Sequence, residues 1–260
     1  MEITADKAVL TTQDGAILKL QLNRPAKKNA ITADMYTVLA DALEQAQTNP
    51  DIRVVLITGS EDSFTSGNDL NDFLQNPPHS ADSPVFRFLH AISTFEKPLV
   101  AAVNGLAIGI GTTLLLHCDL VYAAENAVFQ LPFVNLALVP EAGSSLIMPL
   151  IMGHVRAAEL LLLGDKFSAQ KAVAYGIVNE VVAAGDLESH ALEKATTLAS
   201  KAPEALRLSK QLLKGGNAVL IAKTMAEEGK LFGERLRSPE AMEVMQAFME
   251  RRQPDFSSLG

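Results

Sequence analysis

The stretch from Lys97 to Asp119, KPLVAAVNGLAIGIGTTLLLHCD, constrains this chain more than any other. An apolar run from Leu99 to Val103 has the length and branching of a buried strand and stops at Asn104-Gly105. Gly109-Ile110-Gly111 then opens a second apolar run, Thr112 to Leu116, which reads as helical. A strand that enters a helix through glycines leaves backbone N–H groups at the helix start without intrahelical partners. Such groups suit an anion or a developing oxyanion. A nucleotide-binding loop does not fit: a third glycine is needed at 114, where Leu114 stands, and no Gly-Lys-Ser/Thr occurs. A plainer reading stays open, in which the glycines only let strand and helix pack closely.

The 260 residues are 48% hydrophobic but only 5% aromatic, with no Trp, so the core to be buried is aliphatic and ample for layers. Lys and Arg number 22 against 30 Asp and Glu, a net charge of −8, which argues against a nucleic-acid partner. The single cysteine, Cys118, lies in a core run, which excludes a disulfide framework and fits a reducing compartment. MEITADKAVL does not read as a secretory signal, no apolar run has the length of a membrane span, and Ser-Ser-Leu-Gly is not the peroxisomal tripeptide. The expected place is cytoplasmic, with no membrane partner.

In chain order, residues 8 to 12 and 16 to 22 alternate around Gln13-Asp14-Gly15, a hairpin signal. Asn23-Arg24-Pro25 stops the second strand, and a basic loop follows through Lys27, Lys28 and Asn29. Thr32 precedes a helical pattern that ends near Asn49-Pro50. Strands are expected at 52–58, 99–103, 120–123 and 128–130, a helix at 85–95, a polar loop at 59–67, and a mobile insertion around Asn76-Pro77-Pro78-His79-Ser80. After Val139 helices are expected at 144–151, 154–163, 169–174, 186–199, 203–213, 218–237 and 239–250, with one late strand at 177–182. A soft boundary near residue 200 separates a core, 1–200, from a helical region, 201–260, that should pack on a neighbour or on the core.

A second place for converging backbone donors is Ser66-Gly67-Asn68-Asp69, ahead of Leu70. Alone it also reads as an ordinary loop in which Asp69 or Asn68 caps a short helix. Two turns that each follow a buried strand can, however, aim one N–H apiece at a single carbonyl oxygen.

These residues carry a family resemblance. Asn23-Arg24-Pro25 leading to Asn29, Phe64 to Leu70, and Ala101 to Asp119 resemble the crotonase (enoyl-CoA hydratase/isomerase) superfamily. So do Gly164-Asp165 to Ala169, Ala172 to Val182, and the tail AMEVMQAFMERRQPDF from Ala241 to Phe256. The order of motifs over nearly the whole chain makes the match specific. It implies an α/β fold, a crotonase-like ββα superhelix with a C-terminal helical trimerisation region, and assembly as a homotrimer or dimer of trimers. It also implies an acyl-CoA thioester as substrate, with no metal and no cofactor beyond the coenzyme A of that substrate. The N–H groups of Ser66 and Ile110 would form an oxyanion hole, with Gly67, Asn68, Asp69, Leu70 and Gly109 lining the substrate site.

The acid–base residues set the branch. In hydratases of the family two carboxylates fall at positions matching Thr113 and Phe133, and neither of these can ionise. Glu141, in Val139-Pro140-Glu141-Ala142-Gly143, resembles instead the carboxylate of peroxisomal-type Δ3,Δ2-enoyl-CoA isomerases. Its bland alternative is a solvated glutamate in the first turn of a helix after an N1 proline. Among Leu136, Leu138, Val139 and Leu146 it would gain a raised pKa and serve as a proton shuttle. A hydratase with another water-activating group and a silent acyl-CoA-binding module are the competing readings. Lys27 and Lys28 read singly as surface lysines; beside Asn29 they resemble the family's adenine and phosphate loop. Lys230, Arg251 and Arg252 are further candidates for phosphate contacts, from a neighbouring subunit. His117 reads as structural, and no histidine pair has metal-ligand spacing.

Overall fold

The computed structural model describes residues 7–75 and 82–257, except the side chains of Leu74 and Phe248. The expected insertion around Asn76 to Ser80 lies outside the described residues. The chain begins β1 (Val9–Asp14), β2 (Ile17–Leu22), α1 (Ala33–Thr48), β3 (Val54–Thr58), β4 (Ser63–Thr65), α2 (Leu70–Gln75), α3 (Pro84–Thr94). It continues β5 (Leu99–Val103), β6 (Leu106–Ile108), α4 (Ile110–Thr113), β7 (Leu120–Ala124), β8 (Val128–Gln130), α5 (Ser144–Met152), α6 (His154–Leu163), β9 (Phe167–Ser168). It ends α7 (Ala169–Ala174), β10 (Glu180–Val182), α8 (Leu187–Ala199), α9 (Pro203–Gly215), α10 (Ala218–Arg235), α11 (Pro239–Glu250).

After the antiparallel hairpin of β1 and β2, strands β3 to β8 alternate between two sheets. One sheet runs β1-β2-β3-β5-β7-β10, the other β4-β6-β8-β9. The pairs β3/β5, β5/β7, β4/β6 and β6/β8 are parallel, so each strand–strand unit advances both sheets by one position before the chain crosses through helix or loop. That is a ββα superhelix.

Period-2 side-chain alternation explains how the larger sheet is covered on both faces. Val55, Ile57, Leu99, Ala101, Val103, Val121 and Ala123 point into the main core with α1 and α3. Val54, Leu56, Val100, Ala102, Tyr122 and Ala124 point the other way, against Leu187, Ala191 and Ala195 of α8. Those three lie four residues apart on one helix face, and two are alanines, which lets the helix lie close on the strands. Helix α1 starts where expected: Thr32 caps it, its side chain accepting from the Met35 N–H at 3.4 Å.

Three expectations change. The polar loop at 59–67 contains β4, with Ser63, Phe64 and Thr65 fully buried. Polar residues survive there because Asn29 Nδ2 donates to the Ser63 carbonyl at 2.6 Å and Thr65 Oγ1 donates to the Asn29 carbonyl at 2.7 Å. Strand β6, three residues between glycines, was too short for a periodicity argument. The helix expected over Thr112 to Leu116 is instead a single α turn, α4, followed by a 3-10 turn at Leu114–His117. What the glycine entry offers is therefore local N–H groups rather than a long helix dipole.

Helices α9 to α11 close the chain. α10 packs on α5, and Lys210 of α9 is buried with its ammonium on the Lys97 carbonyl and Asp119 Oδ2, both at 2.6 Å. Leu212, Leu213 and Val219 stay more than four-fifths exposed. No helix among the described residues is long and apolar enough to cross a membrane.

Candidate active site

Strand register brings the two glycine turns together. Thr65 is paired with Ala107, so β4 and β6 end side by side and Ser66-Gly67 and Gly109-Ile110-Gly111 leave from the same edge. Packing there is tight enough to require glycine: a Cβ on Gly111 would lie 2.6 Å from Thr65 Cγ2, and one on Gly67 would lie 2.9 Å from the Ile108 carbonyl oxygen. Gly109 has open space around it but sits at φ 56°, ψ −117°, a region closed to other residues. Both readings of the glycines hold, each at its own position: Gly111 permits close approach and Gly109 makes the turn.

The two expected donors differ. Ile110 N–H, at the first position of α4, makes no hydrogen bond to a described residue, and the Ile110 side chain is buried in the main core. Ser66 N–H donates to the Lys28 carbonyl at 2.9 Å. That carbonyl comes from a pair of left-handed residues, Lys28 at φ 50° and Asn29 at φ 55°.

Several expected ligand residues turn out to hold the turns in place. Asn29 is fully buried; its Oδ1 accepts from Arg24 N–H at 2.8 Å and Ser60 Oγ at 3.1 Å, and its Nδ2 donates to Ser63. Asp69 caps α2, accepting from the Asn71 and Asp72 N–H groups, and pairs with Arg24 at 2.6 Å. Burial opposes its charge, but Arg24 and the amides keep its carboxyl below the usual range. Asn68 Oδ1 accepts the Tyr36 hydroxyl, and Leu70 begins α2. Lys28 pairs with Asp62 on the surface at 2.6 Å; Lys27 is exposed and makes no ion pair with a described residue. Arg252 pairs with Glu243 and Glu250 of its own tail.

Glu141 is 7% exposed and precedes α5, whose first residue is Ser144, so it is neither solvated nor in the first helical turn. The chain turns behind it through Ala142 at φ 60° and Gly143 at φ 73°. Left-handed alanine is uncommon and marks a conformation imposed by its surroundings. Glu141 borders a cavity of about 20 Å³ walled by Phe73, Val85, Phe86, Leu89, Met225 and Phe232. A groove of about 1120 Å³ between α3, α9 and α10 shares Phe86, Leu89, Met225 and Gly229 with it. Burial first, and the charge of Glu228 second, push the Glu141 carboxyl up to about 8. Thr113, one turn beyond Ile110 on α4, faces that carboxyl, and among the described residues neither Thr113 Oγ1 nor Glu141 Oε1 has a hydrogen-bond partner.

Thr113 and Phe133, at the places where hydratases would carry carboxylates, are both buried. His117 is structural, as expected: its Nε2 lies 2.7 Å from the Ala142 carbonyl, and burial lowers its pKa to about 4, so the neutral ring donates there. Tyr36 and Glu228 were not foreseen. Tyr36 sits mid-pattern in α1, where it reads as core, and burial with the nearby Glu141 charge pushes its phenol well up. Nothing local marks Glu228 in the helical tail. Among the described residues no cluster of His, Cys, Asp or Glu could hold a metal.

Stacked ββα turns that set two amide-bearing turns on one edge, with a buried carboxyl close by, define a crotonase-type α/β fold. The chain belongs to the enoyl-CoA hydratase/isomerase family, whose profile matches residues 12–258. It is 37% identical to rat enoyl-CoA delta isomerase 2 over 95% of its own length, and spans 64% of that relative. It is 34% identical to the 2,3-dehydroadipyl-CoA hydratase of Escherichia coli, covering 95% of this chain and 98% of that one. The structure of Pseudomonas aeruginosa OdaA superposes with a TM-score of 0.92 at 49% identity, covering 95% of this chain and all of the other. Isomerases and hydratases thus stand among the relatives at similar identity.

Proposed function

We propose that the chain shifts the double bond of a 3-enoyl-CoA to give the conjugated 2-enoyl-CoA. Glu141, as carboxylate, takes a proton from C2; the electron pair moves to the thioester oxygen, forming a dienolate. The acid then returns the proton to C4, and the double bond settles between C2 and C3. The oxyanion is met by Ile110 N–H and by Ser66 N–H, which exchanges its Lys28 acceptor for the thioester oxygen. Each such donor is worth about 10²–10³ in rate. Lys27, exposed beside the turn, is the proposed contact for coenzyme A phosphate.

The observation that carries this reading is the buried Glu141 in a place where Thr113 and Phe133 supply no carboxylate and the neighbouring Glu228 has both oxygens taken up by the Gly143 and Ser145 donors. One carboxyl suffices for a 1,3-proton shift, while holding a water for hydration takes two. Turnover of paired 3-enoyl-CoA and 2-enoyl-CoA substrates tests it. Isomerisation of the first with little water addition to the second is expected, with Glu141→Gln slower by about 10²–10⁴. An undiminished rate in Glu141→Gln sinks the assignment; faster water addition than isomerisation makes the chain a hydratase, and tight binding without turnover a binding module. The exposed apolar side chains of Leu212, Leu213 and Val219 support assembly as a homotrimer or dimer of trimers, which light scattering would contradict by giving a monomer mass.

A further inference from the structure

Glu228 on α10 reaches across 85 residues to the turn behind Glu141. It is 6% exposed. One carboxylate oxygen accepts the Gly143 N–H at 2.6 Å; the other accepts the Ser145 N–H at 3.0 Å and the Ser145 hydroxyl at 2.5 Å. Between those residues, the Ser144 N–H donates back to the Glu141 carbonyl at 3.0 Å. The clamp therefore holds both sides of the turn that presents Glu141.

The clamp uses both carboxylate oxygens as acceptors, which an amide, with a single acceptor oxygen, could not supply. It thereby places a second carboxyl in a buried region that already holds one, an arrangement that disfavours ionising both. Burial raises the Glu228 carboxyl as well, but its three donors oppose that rise, whereas Glu141 Oε1 has no hydrogen-bond partner among the described residues, so Glu228 is the member of the pair that ionises first. Thr113 from α4 and Tyr36 from α1 also face Glu141. His117 touches the turn through the Ala142 carbonyl, and Lys210 and Lys214 of α9 act on that imidazole. The cavity walls contributed by α2, α3 and α10 are Phe73, Val85, Phe86, Leu89, Met225, Gly229 and Phe232, none of them charged.

We propose that Glu228 is a positioning residue for Glu141: it fixes the turn that carries Glu141 and confronts it with an ionised carboxylate, so that Glu141 is the acid of the pair that exchanges a proton. The inference rests on Glu141 being the proton shuttle. The raised Glu141 pKa, owed to Glu228 after burial, agrees with the geometry.

The test uses the full chain with Glu228→Gln and Ser145→Ala. Glu141 is titrated by infrared difference against Glu141→Gln without substrate, and kcat and KM for a 3-enoyl-CoA are followed with pH. In Glu228→Gln the Glu141 titration and the rising limb of the rate profile should both move to lower pH. kcat should fall by about tenfold, the scale of loss when a reacting group is misplaced, with KM little changed. Ser145→Ala, which keeps the charge and loses one bond, should lower kcat less and leave the titration where it was. A Glu141 titration unmoved by Glu228→Gln overturns the proposal. Should that variant not fold, an unchanged kcat in Ser145→Ala overturns it, and a lowered kcat with an unmoved titration supports it. Because the titration needs no turnover, failure of the isomerase reading is seen separately, in the parent's rate.

Discussion

At the scale of single residues, the cost of the site is visible in Glu141. Its carboxyl is raised to about 8 by burial and then by Glu228, whereas in an unfolded chain a glutamate titrates at about 4.3. Folding therefore favours the protonated acid. That contribution is fully present below the unfolded value and is lost as pH rises through 8, because the folded state must then either keep a proton the unfolded chain has released or bury a charge. Glu141→Gln, a neutral isostere, should match the parent's stability near pH 4 and exceed it at pH 9. A tenfold change in proton affinity corresponds to about 1.4 kcal/mol, so the gain is a few kcal/mol at most. Urea denaturation at the two pH values checks this; a difference independent of pH would mean the carboxyl is solvated. The same substitution is expected to slow turnover by about 10²–10⁴, so stability and activity trade against each other at this one side chain.

At the scale of elements, what sets the site is the junction of β4, β6 and α4. Gly111 decides between two opposed effects: alanine in place of a helical glycine gains roughly 1 kcal/mol of propensity, while overpacking costs about 1–3 kcal/mol. The Cβ would lie 2.6 Å from Thr65 Cγ2, and Thr65 cannot turn away because its hydroxyl is held by the Asn29 carbonyl at 2.7 Å. Gly111→Ala should therefore destabilise the chain and push Ile110 away from Ser66, lowering kcat; a variant as stable as the parent by urea denaturation would show that the junction can relax. These elements were only partly legible in the sequence. Periodicity located α1, α6 and α7 because each has an uninterrupted pattern or a cap such as Thr32, and flanking turns bounded the three-residue β8. It missed β4, whose Ser63 and Thr65 look like loop residues until Asn29 supplies their partners, and it ran α4 into the 3-10 turn at Leu114–His117, since apolar residues alone do not distinguish the two helices.

For the whole molecule, the sheet with two covered faces separates stability from chemistry. Its outer face rests on Ala191 and Ala195 of α8, both fully buried, and the glycine turns and Glu141 lie on other elements. Ala191→Leu should destabilise by about 1–3 kcal/mol through overpacking, read as a lower denaturation midpoint, with kcat/KM nearly unchanged below the transition; a loss of kcat would show that strain on that face reaches the turns. The overall architecture was legible because its motifs recur in order, from Asn29 to the tail. The burial of Glu141 was legible from its apolar setting. Glu228 was not, since the bond it makes joins positions 85 residues apart, and neither helix pattern nor local charge encodes a contact at that range.

That long reach has a consequence for the life of the chain before it is complete. Synthesis runs from the N-terminus, so both sheets and the turn of Ala142 and Gly143 leave the ribosome well ahead of α10. Until α10 arrives, the Gly143 and Ser145 amides have no carboxylate to hold them, and Met225 and Phe232 have not yet closed their side of the cavity over Glu141. The burial of Glu141 and the clamp behind its turn are thus completed only when α10 emerges, more than 70 residues after the glutamate itself.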